Sequence, residues 1–178
     1  MDFAKVLLTV VGFLNQRGVD HALVGAFALT TYGLSRATQD LDFAVPRQVQ
    51  GELISYLESL GYETLYRSEG YSNHVHPLGP MGRIDCVYLD ERTATEMFRS
   101  TTDQKAAGTK VRVPKPEHLA AMKILAMKND PRRTLREMAD LQHILTLPGI
   151  DTNEIRGYFE RYGLEKRYDE LQTFLTSD

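Results

Sequence analysis

With 178 residues, 42% of them hydrophobic, the chain can bury one well-filled core and a small second lobe. Its formal charge of −3 supplies no global basic field for indiscriminate nucleic-acid binding, which leaves only a local patch for holding RNA. The single cysteine, Cys86, excludes an intramolecular disulfide and fits a reducing, cytoplasmic setting.

Phe3, Val6, Leu7, Val10, Phe13 and Leu14 recur at helical spacing. The apolar opening therefore reads as an amphipathic helix rather than a signal peptide, closed near Arg17 by a left-handed Gly18. A short strand is predicted over 21–24, a helix over 26–32 stopped at Gly33, and a strand over 40–45 ended by Pro46. Leu53, Tyr56, Leu57 and Leu60 mark another helix, with Gly61 as its stop. Further strands are predicted over 62–67, 71–76, 83–89 and 109–113, and no stretch reaches the length of a membrane span. Composition shifts at Pro114-Lys115-Pro116. Beyond it helices are predicted over 119–128, 135–147, 155–162 and 164–175, the third opened by a capping box from Asp151 to Glu154. The expected class is α+β: a mixed β-sheet with flanking helices over 1–113, then a C-terminal helical part over 114–178.

Chemistry concentrates in the first half. On a strand, Asp40 and Asp42 share one face while Leu41 and Phe43 enter the core. Two like charges on one face call for a cation between them, and hard oxygen donors select Mg²⁺ or a similar ion. Gly25 and Ala26, at a strand-to-helix turn, let the backbone approach a phosphate closely. Together these features point to metal-assisted chemistry on a nucleotide. Asp85, between Ile84 and Cys86, is a third candidate carboxylate, whereas Asp90, before Glu91 and Arg92, has the character of a cap or turn residue. Arg36 either steadies a phosphate or pairs with Asp40. His74 and His76 lack a third imidazole or thiolate at ligand spacing, so they read as sheet-surface residues flanking the cleft rather than zinc ligands. Tyr62, Tyr66 and Tyr71 line a base or acceptor pocket, or pack in the core and its rim. Cys86, among apolar neighbours, reads as buried and structural.

Val24-Gly25-Ala26, a helix, and then Asp40-Leu41-Asp42-Phe43 resemble the signature of the nucleotidyltransferase superfamily, with its polymerase-β-like fold. Arg83-Ile84-Asp85-Cys86-Val87 resembles its third-carboxylate strand. The resemblance implies that Asp40 and Asp42 hold two Mg²⁺ ions and that Asp85 binds one of them and helps activate an acceptor hydroxyl. It also implies that Gly25 and Ala26 offer backbone N–H groups to the triphosphate of an NTP. Many members carry Gly-Ser at this turn; Gly25-Ala26 keeps the close approach and lacks the hydroxyl. In the second half, Lys115 to Ala126, then Arg132-Arg133 and Arg136 to Leu141, resemble the AbiEii-like toxin-type branch and its minimal relatives. That likeness places Lys123 against the triphosphate and Asp140 near the site as a base-like or supporting acid. Read alone, Lys123 is equally a solvent-facing lysine, and Asp140 an ordinary helix partner of Arg136.

The activity implied is transfer of an NMP from an NTP, with Mg²⁺, to a hydroxyl of RNA such as a tRNA end, of a protein, or of a small molecule. A toxin–antitoxin or phage-defence setting follows from the same likeness, with a cognate antitoxin as partner. The competing expectation is a non-catalytic nucleotide-binding or partner-binding module on the same fold. Arg132, Arg133, Arg156, Arg161, Lys166 and Arg167 form either a local RNA-facing surface or, interleaved with acids, a solvated helix face.

Overall fold

Helix α1 (Phe3–Gln16) begins where the Asp2 carboxylate accepts from the Lys5 amide, and it ends with Gly18 in the left-handed region at φ 63°. The computed structural model describes residues 1–175, and the chain divides into two units, the first Met1–Pro114 and the second starting at Lys115.

In the first unit α1 is followed by β1 (Ala22–Val24), α2 (Gly25–Leu29), β2 (Asp40–Pro46), α3 (Gln50–Ser59), β3 (Glu63–Arg67), β4 (Tyr71–Val75) and β5 (Arg83–Leu89). These strands form one five-stranded sheet in the order β1-β2-β5-β4-β3, and only the central pair, β2 and β5, is parallel. Alternation along that pair sends Leu41, Phe43, Ile84 and Cys86 to the core face, where all four are fully buried. Burial pushes the Cys86 thiol up to about 12, so it stays an inert, protonated core side chain.

Several elements differ from the sequence reading. The helix expected over 26–32 is only five residues of α-helix, and it tightens to a 3₁₀ turn over Thr30–Tyr32. Thr30 and Thr31 cause this, because their hydroxyls donate to the carbonyls of Phe27 and Ala28 three residues back, at 2.6 and 2.7 Å. Two elements had no clear sequence signal: α4 (Glu91–Arg99) and β6 (Thr102–Ala106). Asp90 caps α4, accepting from the Thr93 amide and hydroxyl at 2.9 Å each. Strand β6 pairs with β7 (Thr109–Val113) through a two-residue turn at Ala107 and Gly108, both at positive φ, as such hairpins require.

His74 corrects the reading of the histidines as cleft-flanking surface residues. It is fully buried on the core face, held by the hydroxyls of Ser72 at 2.7 Å and Thr64 at 3.1 Å. Burial lowers its pKa, and that of His21, against the upward pull of nearby carboxylates. The unfolded chain thus binds protons more readily at these sites than the folded one. Their contribution is complete above the ordinary histidine value of about 6.5 and is lost as pH falls below it. The melting temperature should therefore drop between pH 7.5 and 5.5; a flat or rising profile across that interval would contradict the assignment of neutral buried imidazoles.

The second unit contains α5 (Pro116–Asn129), α6 (Thr134–Leu145), α7 (Thr152–Tyr162) and α8 (Glu165–Leu175). Pro116 opens α5, where its missing N–H costs nothing. Leu119, Ile124, Leu141, Ile144, Ile155 and Phe159 form its buried core. Only half of the predicted capping box forms: Asp151 accepts from the amides of Asn153 and Glu154, but Glu154 turns instead to Lys115 Nζ at 2.5 Å and the Tyr158 hydroxyl at 2.8 Å. The Asp151 amide is satisfied by Glu117 at 2.9 Å. Among the described residues, no helix is long and apolar enough to cross a membrane.

Candidate active site

The register of the sheet assembles the acidic face. Val24 lies beside Asp42, Asp42 beside Asp85, and Asp85 beside Asn73, so one row of residues crosses four strands on the face opposite the core. In the neighbouring row Asp40 stands beside Arg83. Asp40 and Asp42 thus share a face with Asp85, brought together from positions more than forty residues apart by the parallel pairing of β2 and β5. Asp42 and Asp85 form a like-charge cross-strand pair, an arrangement that is unfavourable without compensation.

Gly25 begins where β1 ends, at φ 69°. A Cβ there would lie 2.0 Å from Asp42 Oδ2 and 2.8 Å from Asp42 Cβ. Only a bare Cα in the left-handed region fits, so the turn and the Asp42 carboxylate are packed directly against each other. Ala26 follows and is buried, with 6% of its surface exposed. With α2 only five residues long, any attraction for an anion here comes from local N–H groups more than from a helix dipole.

Asp85 is the most constrained of the three acids. Its Oδ1 accepts from Asn73 Nδ2 at 2.8 Å and from Arg83 Nε at 2.9 Å, and its Oδ2 accepts from an Arg83 terminal nitrogen at 3.2 Å. The Tyr71 hydroxyl also bonds it; burial first, and then the Asp85 charge, push that hydroxyl up to about 12, so it remains a neutral donor. The Thr38 hydroxyl donates to Asp40. Arg36 is half-buried in the connection leading into β2. Among the described residues, no three His, Cys, Asp or Glu side chains converge as a ready metal-binding group, and Asp85 is bonded to Arg83 and Asn73. The donor chemistry nonetheless fits a hard divalent cation: Asp40 and Asp42 are half-buried carboxylates on one face, with Asp85 next in register.

The partners of Asp85 escaped the sequence reading. Arg83 was within reach of it, since residues two apart on a strand share a face. Asn73 and Tyr71 were not, because only the pairing of β4 with β5 brings them alongside. Tyr66 packs near Tyr71 at 6.1 Å between ring centroids, while Tyr62 is buried edge-on to His76 with its hydroxyl on the Met81 carbonyl at 2.8 Å.

The other two sequence candidates lie in the second unit. Lys123 is not solvent-facing: it is 6% exposed, with Nζ 2.6 Å from Asp140 Oδ2 and 2.9 Å from Glu137 Oε2. Arg133 reaches the other oxygen of Glu137 at 2.7 Å, and Arg136 lies 3.3 Å from it. Burial pushes the Glu137 pKa up, but Lys123 and Arg133 outweigh it and hold the carboxyl below its ordinary value. Lys123 and Asp140 therefore meet as members of one buried ion-pair network.

The site thus combines a Gly turn packed against Asp42 with Asp85 next in register, on a mixed sheet with a central parallel pair. Solved structures share the fold. The antibiotic-resistance factor ANT(2'')-Ia aligns at TM-score 0.69 and 17% identity over 100% of both chains. The lincosamide antibiotic adenylyltransferase LnuA aligns at 0.59 and 14%, covering 80% of this chain and 96% of its own. A putative nucleotidyltransferase from Thermotoga maritima aligns at 0.55 and 14%, covering 78% and 92%. No curated protein sequence matches the chain significantly. The model of the nucleotidyl transferase AbiEii toxin family, type IV toxin–antitoxin system, matches residues 16–178, and the chain belongs to that family.

Proposed function

We propose that the chain transfers an NMP from an NTP to an acceptor hydroxyl, using the face built by Asp40, Asp42 and Asp85. The observation that carries this reading is the juxtaposition of Gly25 with Asp42, and of Asp42 with Asp85 across the parallel strand pair. Asp40 and Asp42 would hold Mg²⁺, with Asp85 joining them once its carboxylate is released from Arg83. Bound there, two such ions would offset charge on the attacking and leaving oxygens of the displacement. Gly25 and Ala26 would keep side-chain bulk away from the phosphates, and Arg36 would neutralise them. Asp85 is the group proposed to orient the acceptor hydroxyl. Lys123, held by Glu137 and Asp140, neutralises those two buried acids within the second unit.

Membership of the AbiEii family supports a toxin role with a cognate antitoxin as partner. ANT(2'')-Ia has been solved with adenylyl-2''-tobramycin, so a small hydroxylated acceptor belongs beside RNA and protein among the acceptors to test. Incubation of the protein with NTP, Mg²⁺ and separate pools of total RNA, protein and small hydroxylated molecules should modify one pool and leave the others untouched. A second reading, a nucleotide-binding module without turnover, is favoured by the engagement of Asp85 with Arg83 and Asn73. That reading gains if NTP and Mg²⁺ raise the melting temperature while every pool stays unmodified.

A further inference from the structure

Arg83, in the row next to Asp42 and Asp85, holds Asp85 through two nitrogens at once, Nε to Oδ1 at 2.9 Å and a terminal nitrogen to Oδ2 at 3.2 Å. With Asn73 on Oδ1 and Tyr71 also bonded, the carboxylate has its hydrogen-bonding capacity filled by the protein's own side chains. The two partners differ in burial: the Asp85 side chain is 9% exposed, and that of Arg83 is 45% exposed. The acid is fixed and the guanidinium sits at the rim, on a long side chain that can leave without disturbing the core. Arg83 is also beside Asp40 in register, so it shares that acid's row and reaches across to Asp85 in the next one.

We propose that Arg83 is a built-in counter-cation that a divalent metal must displace from Asp85, so that Arg83 sets the metal affinity of the nucleotide-free protein. The proposal rests on the reading of Asp40, Asp42 and Asp85 as the metal-binding face. Its physical basis is competition for the same two oxygens. A bidentate guanidinium neutralises the like-charge pair Asp42–Asp85 and keeps the face stable when metal is absent. A metal approaching Asp42 gains the third carboxylate only by breaking two charge-assisted hydrogen bonds, which weakens its binding. Asn73 and Tyr71 do not compete in this way, because neutral donors can stay on a carboxylate that also ligates a metal.

The test uses Mn²⁺ as the probe, titrated into the full nucleotide-free chain and followed by the paramagnetic signal of the free ion. Arg83→Gln should tighten Mn²⁺ binding by about tenfold, the scale expected for losing charge-assisted hydrogen bonds that compete with the metal. Arg83→Lys, which keeps the charge but not the two-nitrogen grip, should fall between Arg83→Gln and the wild type. Asp42→Asn should weaken binding in every background. Binding by Arg83→Gln equal to or weaker than wild type, with Asp42→Asn still effective, would overturn the role of Arg83 and leave the metal face standing. Absence of Mn²⁺ binding in all variants would overturn the metal face and this proposal with it. If Arg83→Gln does not fold, Arg83→Lys decides alone: tighter binding than wild type supports the displacement, and equal or weaker binding refutes it.

Discussion

Gly25→Ala should reduce nucleotidyl transfer by more than about 100-fold and destabilise the first unit by roughly 2–4 kcal/mol. Two costs combine. Alanine at φ 69° sits in the left-handed region, and its Cβ meets Asp42 at 2.0 Å from Oδ2 and 2.8 Å from Cβ. A rotamer change at Asp42 would relieve the first contact only, because the second involves an atom fixed to the strand. Either the turn must move off Asp42 or β2 must shift and carry Asp42 away from Asp85, and each breaks the packing of turn, Asp42 and Asp85. Melting curves and transfer rates measured on the same preparation check this together. Wild-type activity in Gly25→Ala would mean that Asp42 does not have to be held against the turn.

Lys123→Met should destabilise the helical unit by about 3–5 kcal/mol, the cost typical of removing one partner from a buried charge pair. Glu137 keeps Arg133 at 2.7 Å, but Asp140, 2% exposed, loses the ammonium at 2.6 Å. Adding Asp140→Leu to Lys123→Met should recover much of the loss, since a well-packed apolar pair often replaces a buried ion pair without penalty. The pH dependence has a definite sign. In the wild type the lowered Glu137 pKa gives stability that is present above the unfolded value of about 4.3 and is lost as pH falls through the lower folded one. In Lys123→Met the ammonium no longer offsets the burial of Glu137, so that part of the wild type's stability at neutral pH is missing. The gap between the two proteins should therefore narrow as pH falls from 7 through the unfolded value of about 4.3. Urea unfolding across that range measures it; a deficit under 1 kcal/mol at pH 7 would contradict a buried structural network at Lys123.

Much of the chemistry could be read along the chain because it depends on local spacing. Asp40 and Asp42 share a face through period-two alternation alone, and Gly25 announces itself as a turn residue between an apolar strand and small side chains. The element over 83–89 carries Ile84, Val87, Tyr88 and Leu89 and stands out as a strand, whereas that over 71–75 has only Tyr71 and Val75 to mark it. Strand β6 does not stand out, because only Ala106 of its five residues is buried and its polar run offers no alternation. Helix α4 buries Ala94, Met97 and Phe98 at helical spacing, but six of its nine residues are charged or hydroxylated, and the short apolar stripe is easily passed over. His74 misleads for the opposite reason: a polar side chain suggests a surface, and the hydroxyls that let it be buried come from its own strand and the next. The environment of Asp85 depends on strand pairing across distant sequence, as does the meeting of Lys123 with both Glu137 and Asp140 between two helices. Such contacts are set by tertiary packing, and no periodicity within one element encodes them.

The central claim is that the face built by Asp40, Asp42 and Asp85 moves a nucleotide rather than only a phosphate. Reaction with NTP labelled in turn at the α- and γ-phosphates, in the presence of Mg²⁺ and the three acceptor pools, tests it most directly. Label from the α-phosphate should become covalently attached to one acceptor while γ-label leaves as pyrophosphate. Asp42→Asn should cut that attachment on the order of 10³-fold, the scale of losing metal-assisted charge stabilisation. Transfer of γ-label instead, α-label that persists unchanged in Asp42→Asn, or no labelled acceptor in any pool would contradict it.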